Sequence, residues 1–287
     1  MKILFRADSS SKIGLGHVMR CLELAKKFDN SEIFFASKEL KGNINQQIPY
    51  PLHVIKSNKA EEIIKLILSL HVNMLVIDNY DICYETEKII KEKTGVKILV
   101  VDDLYRRHFC DILLNPNIYA DKKKYKDLVP PFCELWCDCW QEFLRKEFKI
   151  QKSIKRKKIY DVLLIMGGSD SKNLNTKIVK ILPQSLHVGV LTTTANANLD
   201  ELKKFLSKRK NYTLHVNSNE VAKLLSMSKF VITTPSVTLH EVLFMGISFI
   251  AYESAKNQKY MSCFLEQNGY NVARSLKELK SLIDEKL

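Results

Sequence analysis

Three stretches of the chain place reactive side chains directly after apolar runs. The first is A-D-S-S-S-K-I-G-L-G-H (7–17), which follows KILFRA. A strand, a polar glycine-containing loop and a helix form a layout that favours anions and polar ligands, because the amides at a helix start lack partners. Gly14 and Gly16 allow backbone angles that bring such a loop close to a ligand. The spacing G-L-G-H lacks the third glycine of the dinucleotide fingerprint, which argues against hydride transfer. His17 falls at the start of the helix, where the dipole disfavours an imidazolium. A neutral imidazole there is a candidate general base. A histidine that merely caps or packs is the plainer alternative; the strand-end position and flanking glycines favour catalysis. Asp8 and the serines at 9–11 either orient a polar ligand or shape the turn. Arg6 and Arg20 are weaker candidates, with pairing to a nearby carboxylate as the simple alternative.

The second stretch is MLVID-N-Y-D (74–81), an apolar strand that turns polar at its carboxyl end. The Tyr80 hydroxyl can hydrogen-bond a substrate or the base. Asp78 can orient His17 as a carboxylate–histidine pair, although D-N-Y-D also suits an ordinary turn. Asp102 and Asp103 close the next strand in the same way. The third region lies in the second half. LLIM-G-G-S-D (163–170) leaves room at Gly167, Gly168 and Ser169 for backbone contact with phosphate. VITTPSVTLHE (231–241) is a strand, a hydroxyl-rich turn and a helix start. Thr234, Ser236 and Thr238 with free amides there suit a diphosphate without a metal. Glu241, one turn inside, suits the two hydroxyls of a ribose. The alternative is helix capping by Ser236 or Thr238 with a solvated Glu241. His240 competes for the role of base, but a surface histidine is its default reading.

The elements that must position these groups alternate along the chain. Strands are expected at 2–7, 32–37, 74–79, 97–103 and 111–116, with helices at 18–28 and 59–70. The pattern weakens from 117 to 157. It restarts with strands at 160–166, 187–193, 212–217, 230–234 and 248–253, and helices at 171–182, 199–209, 219–227, 236–245, 257–268 and 275–286. Strand–helix alternation with fully apolar strands predicts parallel sheets covered by helices on both faces. The fold class is α/β, with two doubly wound domains, 1–150 and 151–287, facing a cleft. In such sheets ligands bind at the carboxyl ends of the strands.

Composition narrows the function classes. The 287 residues are 46% apolar and 27% charged, as expected for a globular protein of two domains. No apolar run approaches the length needed to span a bilayer, and MKILFRADSS reads as a strand, not a signal peptide. A cytoplasmic protein without membrane insertion is expected. The net charge of +13 comes from lysines spread along the chain. It suits an acidic substrate, and no aromatic-rich motif accompanies it to suggest nucleic acid. KSIKRKK (152–158) reads as a solvated linker. The seven cysteines are too scattered for a disulfide scaffold. Cys133, Cys137 and Cys139 cluster, but their spacing lacks a zinc knuckle, so no metal is expected. No cofactor is expected, and a monomer is favoured.

The ordered set FRADSSSKIGLGHVMRCLELA, VIDNY, VDD, DILLNPN, IMGGSD and the S-x-T-x-x-E helix start resembles one family across nearly the whole chain. It is similar to the UDP-2,4-diacetamido-2,4,6-trideoxy-β-L-altropyranose hydrolases, the nucleotide-sugar hydrolases of pseudaminic acid biosynthesis. The family looks like the GT-B glycosyltransferases of the MurG type, with two Rossmann-like domains. The resemblance implies that UDP binds the second domain and that the sugar faces His17 as catalytic base. It also implies roles for Tyr80, for Asn257 of the K-N-Q segment near the sugar, and for Glu241 as ribose ligand. SLKELKSLIDEKL at the end has no clear functional counterpart. The alternative within the same fold is a glycosyltransferase using a UDP-sugar donor.

Overall fold

The computed structural model describes residues 1–137 and 139–287. Contacts divide the chain into two compact units, Met1–Phe143 and Leu144–Leu287.

The first unit is built on seven parallel strands: β1 (Lys2–Ala7), β2 (Glu32–Lys38), β3 (Leu52–Ile55), β4 (Met74–Asp78), β5 (Lys97–Val101), β6 (Ile112–Leu114) and β7 (Glu134–Trp136). Their order across the sheet is β3-β2-β1-β4-β5-β6-β7. The α-helices α1 (Gly16–Ala25), α2 (Ala60–Leu70) and α3 (Tyr84–Thr94) accompany them. Successive side chains of a strand point to opposite faces, and here both faces are covered. Ile3 and Phe5 pack with Val18, Cys21 and Leu24 of α1. Leu4 packs on the other face with Ile63 and Ile67 of α2 and Ile90 of α3. That double burial is why the central strands are apolar throughout.

The second unit opens with α4 (Lys146–Lys152). It continues through β8 (Tyr160–Ile165), α5 (Leu174–Ile181), β9 (Val188–Thr192), α6 (Leu199–Leu206), β10 (Tyr212–Val216) and α7 (Val221–Ser226). It closes with β11 (Ser228–Thr233), α8 (Val237–Met245), β12 (Ser248–Tyr252), α9 (Lys259–Gln267), β13 (Val272–Ala273) and α10 (Leu276–Lys286). The sheet order β10-β9-β8-β11-β12-β13 repeats the winding of the first unit. α4, which the sequence reading divides between the two halves, packs on α7 and α8.

In both sheets the order reverses beside the first strand, and such switch points are where doubly wound sheets open a crevice for ligands. In the first unit β1 pairs with β4, setting Ala7 opposite Asp78. In the second β8 pairs with β11, setting Ile165 opposite Thr233. The chemistry-bearing loops identified in the sequence emerge at these two points.

Several elements differ from the sequence reading. β3 and β7 are edge strands with exposed or half-buried residues, so their apolar pattern is diluted. α3 carries a run of Glu and Lys with only Glu87 and Ile90 fully buried. α5 starts at Leu174 instead of 171, because Asp170 accepts the amides of Leu174 and Asn175 at 2.7 and 2.9 Å and fixes the start there. The closing segment has a structural role: Leu279 and Ile283 of α10 are buried in the second core. Ser275 caps it by accepting the Glu278 amide at 3.2 Å. Cys137 is buried, while Cys133 and Cys139 are half-buried around β7. No helix among the described residues is long and apolar enough to cross a membrane.

Candidate active site

The loop after β1 is shaped by its own serines. Ser10 Oγ accepts the amides of Lys12 and Ile13 at 3.2 and 3.1 Å. The backbones of Ser10 and Gly14 bond each other in both directions, at 3.1 and 2.9 Å. Gly14 has φ +84°, a left-handed conformation that glycine takes without strain. Gly16 differs from the sequence reading: it is the first residue of α1 and has no unusual φ, and its α-carbon faces open space.

Asp8 is buried and surrounded by donors. Arg6 grips it through Nη1 and Nη2 at 2.7 and 2.6 Å, the Lys38 amide donates at 2.7 Å and Asn79 Nδ2 at 2.9 Å. Burial works against its charge, but the Arg6 bonds and charge, followed by Lys38, prevail and bring its carboxyl down to about 2. Of the two sequence alternatives, loop stabilisation is the role these contacts fill: Asp8 ties the ends of β1, β2 and β4. Arg6 is consumed in the same cluster, as its simpler reading expected.

His17 lies in the first turn of α1, nearly buried. Its Nδ1 is 2.6 Å from Asp78 Oδ1. A carboxylate at that distance can accept a proton carried on Nδ1. Arg20, one helical turn further, reaches the same carboxylate through Nε and Nη2, the latter at 2.7 Å from Oδ1. Its Nη1 donates to Asp103 Oδ2 at 2.9 Å. Burial disfavours a charged Asp78, but the Arg20 and His17 contacts outweigh it and hold the carboxyl well below the usual range.

Tyr80 stands edge-on to the His17 ring, with centroids 4.7 Å apart. Its hydroxyl donates to Asp103 Oδ1 at 2.7 Å. The Tyr80 ring, rather than its Asp103-bound hydroxyl, is thus what the geometry brings against the His17 ring. The turn reading of D-N-Y-D also holds, since Asn79 Oδ1 accepts the Asp81 amide at 2.9 Å. Sequence reasoning missed Asn58, whose Oδ1 accepts from Arg6 Nε at 3.1 Å and whose Nδ2 reaches Asn79. It lies between β3 and α2 in a segment without a motif.

Asp102 belongs to a second buried network. Tyr125 donates to it at 2.8 Å, and His108 Nε2 lies 3.5 Å away, with His108 Nδ1 2.8 Å from Glu87. Burial opposes charge on His108, but the Asp102 and Glu87 carboxylates overcome it and push the ring up to about 9. An unfolded histidine titrates near ~6.5. The charge therefore stabilises the fold fully below that pH, and the contribution disappears as pH rises toward 9. Wild-type melting temperature should fall between pH 6 and pH 9, and His108→Gln should flatten that fall. An equal fall in both proteins would remove His108 as the cause.

In the second unit Gly167 is exposed, with φ +86° and open space around its α-carbon. Gly168 accepts the Thr193 hydroxyl at 2.9 Å, and Ser169 is half-buried beside it. Ser236 occupies the position before α8 but makes no side-chain cap bond; it lies 3.1 Å from Thr234 Oγ1 instead. Thr238 follows, half-buried, in the first turn. Glu241 is buried rather than solvated, and Arg145 Nε donates to it at 2.8 Å. His240 is buried as well, which corrects the surface reading. Asn257 is exposed on the 3-10 turn Lys256–Gln258 that follows β12. Among the described residues no cluster of three or more His, Cys, Asp or Glu could hold a metal ion.

No family model matches the chain. The chain is similar to the UDP-2,4-diacetamido-2,4,6-trideoxy-beta-L-altropyranose hydrolase of Campylobacter jejuni, with 40% identity over 95% of this chain and 98% of that protein. Among solved structures, Acinetobacter baumannii MurG matches with TM-score 0.63 and 12% identity, covering 99% of this chain and 90% of that one. Anabaena HepE in complex with UDP-glucose matches with TM-score 0.61 and 11% identity, covering 99% and 89%. These structural likenesses establish a GT-B-like fold of two Rossmann-like units. By the extent of its identity to the Campylobacter enzyme, the chain belongs to the UDP-2,4-diacetamido-2,4,6-trideoxy-beta-L-altropyranose hydrolase family.

Proposed function

We propose that the chain hydrolyses a UDP-linked diacetamido-trideoxy sugar, UDP-2,4-diacetamido-2,4,6-trideoxy-β-L-altropyranose, releasing UDP in pseudaminic acid biosynthesis. The carrying observation is the His17–Asp78 pair, 2.6 Å apart at the switch point of the first sheet. Asp78 accepts the Nδ1 proton, so Nε2 takes a proton from water. The water oxygen forms a bond to the anomeric carbon as the bond from that carbon to the UDP oxygen breaks. The electron pair departs on the diphosphate, which is a stabilised anion and needs no strong acid. The imidazolium formed rests against Asp78. A single displacement inverts the anomeric centre.

The second unit supplies the UDP site. Gly167, Gly168 and Ser169 and the helix start at Ser236 and Thr238 offer amides and hydroxyls to the diphosphate, absorbing charge as it develops. Glu241, fixed by Arg145, receives the ribose hydroxyls, and Asn257 contacts the sugar. In the first unit Tyr80 holds the His17 ring by its face, and Asp8 acts by keeping the strand ends in register.

Hydrolysis in water enriched in oxygen-18 tests the bond that breaks. The label is expected in the sugar and not in UDP; label in UDP defeats the scheme. The structural likeness to glycosyltransferases keeps transfer as the second reading. Incubation with the UDP-sugar alone separates the two, since rapid UDP release without an acceptor favours hydrolysis.

A further inference from the structure

The surroundings of His17 contain two charged groups beyond a histidine–carboxylate pair, Arg20 and Asp103. We propose that Arg20 is a positioning residue that keeps His17 in the neutral form with Nδ1 protonated, by cancelling one of the two carboxylate charges near the ring. The proposal rests on reading His17 as the base and adds a residue that sets the state of that base.

The geometry is a shared clamp. Arg20 takes both oxygens of Asp78, and its third nitrogen takes Asp103. Its Nη2 lies 3.3 Å from His17 Nδ1. The grip fixes the rotation of the Asp78 carboxylate, so that Oδ1 stays directed at Nδ1. Bidentate arginine–carboxylate contacts carry this geometric control, which a lysine point charge does not.

The groups around the ring come from each neighbouring element. Its own helix contributes Arg20 and Cys21, whose Sγ lies 3.7 Å from Asp78 Oδ2. β4 contributes Asp78, the following turn Tyr80, and the end of β5 Asp103. At the end of β1, Arg6 and Asp8 are paired with each other. With Arg20 present, Asp78, Asp103 and Arg20 sum to one negative charge. Without it, Asp78 against the ring and Asp103, which is bonded to the Tyr80 hydroxyl beside the ring, lose their shared counter-charge and draw a second proton onto the ring. A doubly protonated ring cannot accept a proton from water.

The test reads the ring directly. The protein is labelled with 15N-histidine, and the His17 resonances, assigned by their loss in His17→Leu, are titrated by NMR. In Arg20→Met the His17 midpoint is expected to rise by roughly one to three pH units. The acidic limb of kcat should move with it, so that alkaline pH restores much of the turnover. In Asp103→Asn the midpoint should fall. In Arg20→Lys it should stay near wild type while kcat drops, because charge is kept and the bidentate grip is lost. An unmoved or lowered midpoint in Arg20→Met, or a raised one in Asp103→Asn, overturns the proposal. Should Arg20→Met not fold, Asp103→Asn decides alone. A fully active His17→Leu removes the base and with it the purpose of Arg20. An inactive His17→Leu with an unmoved Arg20→Met midpoint removes only the role of Arg20.

Discussion

Replacing His17 with leucine is expected to reduce kcat for UDP release by ~10²–10⁴-fold, the usual worth of general-base assistance. The loss belongs in kcat because, in the proposed mechanism, the imidazole acts on water during bond breaking, while the groups assigned to UDP lie in the second unit. Inhibition by UDP should therefore be nearly unchanged. The fold should survive, since Asp78 keeps both Arg20 contacts when the ring is gone. Steady-state assays of UDP release, with UDP titration of the same preparations, measure both quantities. A variant within tenfold of wild-type turnover would end the proposed mechanism.

Asp78→Asn should be nearly as severe, by a different route. Arg20 demands an acceptor from each terminal atom of residue 78, and an amide offers one oxygen only. If that oxygen stays on Arg20 Nε, in the place of Oδ2, the amide nitrogen takes the place of Oδ1, faces His17 and donates to Nδ1. The proton then sits on Nε2, the nitrogen meant to receive it. A wrong tautomer in a comparable carboxylate–histidine pair costs about 10⁴ in kcat. The substitution also leaves Arg20 with half its counter-charge in a buried site. Breaking buried pairs typically costs about 3–5 kcal/mol, and the retained Asp103 contact places this case toward the lower end. Urea unfolding and kcat on the same variant separate the two effects. Wild-type kcat with reduced stability would make Asp78 a folding residue only.

The winding of both sheets was largely legible, because strands buried on two faces must be apolar along their length. Elements at the margins were not. α3 exposes most of its Glu- and Lys-rich surface, so its sequence carries little periodic signal. β3 and β7 gain their hydrogen bonds from a neighbour on one side only and tolerate polar residues. In the site, strand-end position pointed to His17 and Asp78, since parallel pairing of β1 with β4 makes their ends neighbours. The partner of Tyr80 was not legible. Its hydroxyl goes to Asp103, at the end of a different strand, and only register fixes that meeting. His240, whose default reading is a surface histidine, is buried, as is Glu241 beside it.

Two ion clusters of the first unit are nearly sealed: Arg6 and Asp8 are 0% and 2% exposed, and Arg20 and Asp78 are 10% and 0%. Dissolved ions damp attraction between charges that face the medium, over about 10 Å at ordinary salt. They reach the lysines of the exterior, which would attract an anionic substrate, but not the interior pairs around His17. On the proposed mechanism, added salt is therefore expected to raise KM while leaving kcat nearly unchanged.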